Sequence, residues 1–223
     1  MKHTNGWLLP LALLALNAIP LGASGLRLAQ LFGGEPLDAD SARFFASPVS
    51  TVLHLVSSSL FIVAGAFQFS APLRRRWPGW HRHAGRVLTV SGLVSGLSGI
   101  WMTLYFPHVD GDGPLLYVFR LVFGAAMVVC MVQGFVTARR RDFGAHRAWM
   151  TRGYAIGIGA GTQVVVHIPW LLLGGRPEEL ERALLLGAGW AINLAVAEWI
   201  IRSRGTPGPI ASRAVPRGGL PQE

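Results

Sequence analysis

Arg74-Arg75-Arg76-Trp77-Pro78-Gly79-Trp80-His81-Arg82 recurs 65 positions later as Arg139-Arg140-Arg141-Asp142-Phe143-Gly144-Ala145-His146-Arg147, with three arginines, a glycine, a histidine and a final arginine in identical register. Each copy joins two strongly apolar stretches, so the sequence predicts an internal duplication whose unit is a membrane hairpin with a basic, histidine-bearing connection. Two such histidines, related by a twofold axis, are expected to face each other.

Working outward, composition sets the class. Of the 223 residues 51% are hydrophobic and only 14% charged, which leaves too little polar surface to cover a water-soluble globule of this size. A helix needs about 20 residues to cross the hydrocarbon layer, and six stretches approach that length: Trp7 to Leu28, Pro48 to Phe69, Gly85 to Phe106, Leu115 to Thr137, Trp149 to Leu173 and Leu184 to Ile201. The first is read as a span and not as a cleaved signal, because its apolar run exceeds a signal core. The predicted fold is an all-α polytopic bundle of six transmembrane helices. Its organisation is a first helix at 1–29, a four-helix core at 48–173 made of two hairpins (48–106 and 115–173), a last helix at 184–201, and a disordered tail at 203–223.

The net charge of +9 would suggest nucleic acid in a soluble protein, but its placement follows topology. The amino end, the second and fourth connections and the tail carry most of the arginines. The other three connections carry Arg43, Arg176 and Arg182 beside eight acidic residues. By the positive-inside rule both termini are cytoplasmic, and nineteen arginines against one lysine point to a GC-rich bacterial genome. The expected location is therefore a bacterial inner membrane, with the lipid bilayer as partner and no nucleic acid. The single cysteine, Cys130, offers neither a disulfide nor a thiolate metal site.

Several tryptophans fall near predicted span ends, where indole rings favour the interface. Glycines at 92, 96 and 99 and at 153, 157, 159 and 161 leave helix faces bare, for close packing or for a flat cofactor. The pair Phe44-Phe45 in the first outer connection is read as an interfacial anchor or a pocket cap.

Ionisable side chains inside spans are costly and need a reason. They are His54, Arg120, His167 and Glu198. His54 and His167 each lie six residues from the outer end of their span, about 9 Å deep at 1.5 Å per residue, the equal depth that two axial ligands of one b-type haem require. A hydrogen-bonded polar pair would show the same spacing. Arg120 enters from the same side and would neutralise a haem propionate, an acidic lipid or another anion. His81, Arg82, Arg86, His146, Arg147 and Arg152 form an expected inner-face cluster, suited to lipid phosphate, helix capping or metal. Glu198 is placed to pair with Arg202 at helical spacing. The sequence assembles no phosphate loop, paired carboxylates, zinc-protease motif or nucleophile triad, so hydrolysis is not expected.

Together, His54, Phe67-Gln68-Phe69, His81-Arg82 with Gly85-Arg86, and Asp142, His146-Arg147, Trp149-Met150, Arg152 and Tyr154-Ala155 resemble the bacterial membrane family known as domain of unknown function 2306, over about Pro48 to Leu173. The resemblance implies membership more than activity, since the family is grouped only distantly with two-haem b-type cytochromes. In those cytochromes the fourth span usually supplies a ligand, where this chain has Arg120. Two functions follow as expectations. One is a redox protein in which His54 and His167 hold a b-type haem and exchange electrons with quinone or a soluble partner. The other is a non-redox binder or transporter in which the same residues line a pocket for a small anion or lipid.

Overall fold

In the computed structural model, residues 6–34, 39–107, 109–175 and 177–205 are described. The expected tail lies outside them from residue 206 onward. The described residues form helices and no strand: α1 (Leu8–Leu16), α2 (Ala18–Gly33), α3 (Ala39–Ala46), α4 (Pro48–Gln68), α5 (Ala71–Arg76), α6 (Pro78–Tyr105), α7 (Pro114–Arg139), α8 (Phe143–Gly157), α9 (Gly159–Leu172) and α10 (Glu179–Gly205). Proline stands in the first turn of α4, α6 and α7, where its missing N–H costs nothing and its fixed φ favours the helix. Asp142 caps α8 by accepting from the Ala145 N–H at 3.0 Å, so the residue following the second arginine triplet starts the next helix.

Helices α4, α6, α7 and α10 are each long and apolar enough to cross a membrane, and the bent pairs α1/α2 and α8/α9 bring the candidate spans to six. The protein is an integral membrane protein. On α4 the exposed apolar residues Val49, Leu53, Val56, Leu60 and Val63 recur every three or four positions, a stripe on one helical face that lipid, not water, would cover.

Two expected spans are not continuous. The first bends by 55° between α1 and α2 and the fifth by 45° between α8 and α9. Pro20 explains the first bend: it cannot donate to the Leu16 carbonyl and its ring crowds that turn. At the second, Ile158 stands between Gly157 and Gly159, both poor helix formers. The breaks meet each other. A β-carbon on Gly161 would lie 2.6 Å from the Leu16 carbonyl oxygen and 2.8 Å from Asn17 Oδ1, so only glycine lets the two chains cross there. Asn193 of α10 secures the second break, donating to the Ala155 carbonyl at 3.0 Å and accepting from the Thr162 hydroxyl at 2.7 Å. Broken helices persist at membrane depth only where side chains take up the freed backbone groups in this way.

The core lies toward the inner side, the side of the two arginine-rich connections, where α4, α6, α7 and α8 converge. Phe61, Leu88, Met131 and Tyr154 are buried at its centre. Tyr154 stacks against Phe61 and Phe69 and donates its hydroxyl proton to the Ile62 carbonyl at 2.9 Å. Glycines admit the large side chains: β-carbons on Gly92, Gly153 and Gly157 would strike Met131, Met131 and Phe61 at 2.6, 2.1 and 2.5 Å. Cys130 is buried here as well, against Gly153. The bare glycine faces thus serve close packing in this half.

Candidate functional site

On the outer side the same helices part around a cavity of about 410 Å³, within the usual range for small-molecule sites. His54 and Arg120 both line it. Pro48 opens α4 and Pro114 opens α7, so each residue stands six positions into its helix, about 9 Å from the helix start. The spacing already puts these two at equal depth, and the sequence sets them with His167 around one outer pocket.

The His54 Nδ1–H donates to the Ser95 carbonyl and to the Ser98 hydroxyl oxygen, both at 3.1 Å on α6. The Ser98 hydroxyl proton is already committed to the Val94 carbonyl at 2.6 Å, which makes its oxygen the acceptor and fixes the histidine tautomer. Nε2 is then the acceptor of the neutral ring. Gly99 leaves space for this imidazole, whose Cε1 would sit 3.3 Å from a β-carbon there.

Arg120 holds Asp112 in a two-pronged pair, Nη1 to Oδ2 at 2.7 Å and Nη2 to Oδ1 at 3.2 Å. Arg182 of α10 approaches the same carboxylate at 3.1 Å and Arg43 of α3 at 3.9 Å. The Asp112 side chain is 4% exposed, a burial that an ionised carboxylate tolerates only with paired charge around it. A turn with Gly111 at φ 82° brings Asp112 back under the helix start. Phe44 and Phe106 meet edge to face at 6.1 Å and both line the cavity. Below the charged rim the wall turns apolar through Leu116, Phe123, Met127, Ile62 and Ile156, and Trp190 stacks on Phe123 at 4.7 Å.

His167 stands apart from this group. Its Nδ1–H donates to the Gln163 carbonyl of its own helix at 2.6 Å, and the residue that α9 lends the cavity at that level is Gln163. A haem with two imidazole ligands needs both on one cavity. The cavity presents one histidine, so the residues do not fit a bis-histidine haem. Among the described residues no group of three or more metal-ligating side chains occurs. Pro169 lies inside α9 without ending it and does not border the cavity.

The inner-face residues divide. His81 lies within electrostatic reach of Arg74 and His146. His146 donates Nδ1–H to the Gly134 carbonyl of α7 at 2.7 Å, which ties the start of α8 to the preceding span. Arg82, Arg86 and Arg147 are exposed. Arg152 leaves the cluster: both carboxylate oxygens of Glu198 pair with it, Nη2 to Oε2 at 3.1 Å and Nε to Oε1, and its guanidinium lies 5.2 Å from the Trp149 ring centre. Glu198 therefore pairs chiefly across helices. The expected partner Arg202 sits at 4.0 Å and is largely exposed.

The reading of ionisable residues inside spans missed Asp112, Arg43 and Arg182, because all three lie at helix ends or in connections. The signal present was Asp112 directly before Gly113-Pro114, a helix start that faces Arg120 eight residues on.

No curated protein and no solved structure matches the chain. A family model described as a predicted membrane protein matches residues 51–201, which carries the resemblance through α10, beyond the limit near Leu173 that the motifs alone set. With two thirds of its length covered by that match, the chain belongs to this family of predicted membrane proteins, domain of unknown function 2306.

Proposed function

We propose that this protein is a non-redox membrane binder or transporter whose outer cavity takes a small anionic amphiphile. The observation that carries the reading is that His54 and Arg120 share one cavity at one depth while His167 does not. Arg120 on the lining offers a guanidinium fork to an acid group, and the apolar wall below suits a hydrocarbon body. The redox reading, with haem and a quinone or soluble partner, lacks its second imidazole and is not carried further.

The proposal includes the bacterial inner membrane with both termini cytoplasmic, on the arginine asymmetry, and the duplication. In favour of the latter, Pro48 and Pro114, His54 and Arg120, and Phe61 and Met127 stand 66 apart, and Gly92 and Gly157, and Gly96 and Gly161, stand 65 apart. Of these pairs His54 and Arg120 both border the cavity, which fits a site between the repeats.

The test is calorimetric titration of nanodisc-reconstituted protein with octanoate and with octyl phosphate. Saturable binding of at least one by the wild type, lost in Arg120→Leu, is the expected result. Unchanged binding by Arg120→Leu overturns the reading.

A further inference from the structure

The outer cavity is built around a carboxylate that belongs to the chain itself. Arg120 presents its fork to Asp112 with two parallel contacts of 2.7 and 3.2 Å, the geometry in which guanidinium recognises a planar two-oxygen acid. Asp112 does not depend on Arg120 alone. Arg182 holds Oδ1 at 3.1 Å and Arg43 lies 3.9 Å from Oδ2. The carboxylate therefore has other guanidinium partners if Arg120 turns away. Arg120 is the member of the three that shares its depth with His54 and stands above the apolar wall. From Arg120 to Met127 that wall extends seven residues along α7, about 10 Å.

We infer, resting on the function proposed above, that the ligand is an amphiphilic monocarboxylate, and that its acid group displaces Asp112 from Arg120 while Asp112 stays on Arg182 and Arg43. Three guanidiniums then serve two carboxylates. Glu179 packs against Gly113, a residue of the cavity lining, and disfavours a second negative charge on the ligand. Asp112 acts in this scheme as a tethered competitor that sets affinity and selects head-group shape.

The experiment uses the full chain in nanodiscs, titrated with octanoate, octyl phosphate, octanol and octylammonium. The wild type is expected to bind octanoate at least tenfold more tightly than the other three. Asp112→Asn, which frees Arg120 from a charged hydrogen bond, is expected to tighten octanoate binding about tenfold. Arg182→Gln, which leaves Asp112 more dependent on Arg120, is expected to weaken it. The opposite signs guard against a general loss of folding, which would weaken both. If Asp112→Asn weakens octanoate binding or leaves it unchanged while Arg120→Leu abolishes it, the competitor role is overturned and the cavity reading stands. Equal or tighter binding of octyl phosphate by the wild type overturns the carboxylate assignment alone. Binding that survives Arg120→Leu removes both.

Discussion

The inner and outer halves of this bundle are made from the same helices and treat their glycines differently. In the inner half Gly65, Gly92, Gly153 and Gly157 lie under large side chains of their neighbours, Tyr154, Met131 and Phe61. In the outer half Gly99 faces the ring of His54, which is hydrogen-bonded to Ser95 and Ser98, and a cavity is left open between the helices. Lipid supplies no hydrophobic force between helices, so packing and hydrogen bonding must hold them. One half has the packing. The other is held by the Asp112 cluster and the Asn193 contacts, and the space between them is what a ligand can use.

Substitutions that fill space should separate the halves. Gly65→Val has the largest expected effect, because a β-carbon there already falls 2.2 Å from Tyr154 Cε2 and Tyr154 is fixed at both ring and hydroxyl. A loss of about 3 kcal/mol or more is expected, seen as collapse of the thermal transition of detergent-solubilised protein. Tyr154→Phe removes the hydrogen bond to Ile62 and leaves the ring, and should cost about 1 kcal/mol in the same assay. A cost near zero would mean that the aromatic stack alone closes the inner half. Gly99→Ala is expected to be the mildest, about 0.5 kcal/mol or less, since the His54 ring beside it borders open space and can give by the few tenths of an ångström required. If Gly99→Ala cost as much as Gly65→Val, the contrast between a filled half and an open half would fall.

What the sequence disclosed follows from which forces act along the chain and which across it. The spans, the side carrying the arginines and the depth of His54 and Arg120 depend on local hydropathy and on counting at a fixed rise, and they were legible. The breaks at Asn17 and Ile158 were present as Pro20 and as the glycines around Ile158, but span length alone treats a bent pair and a straight helix alike. Partner choice was not legible. Glu198 has Arg202 one turn away, yet it pairs with Arg152, 46 residues distant in sequence, because Arg202 points outward and Arg152 is held beside it on the adjoining helix. His167 was counted to the depth of His54 along an unbroken span, but counting does not fix which way a side chain faces, and His167 is not on the cavity lining. Asp112 was passed over as a loop acid because its burial comes from Arg43, Arg120 and Arg182, which three separate helices bring together.

The pair between Arg152 and Glu198 also bears on how the chain is made. Arg152 on α8 precedes its counter-charge on α10 by 46 residues, so the pair closes only when α10 docks. The same helix ties the assembly together elsewhere, through Arg182 to Asp112 and Asn193 to the α8/α9 break. The outer cavity thus depends on α10 being in place, although that helix contributes only Leu186 and Trp190 to its lining.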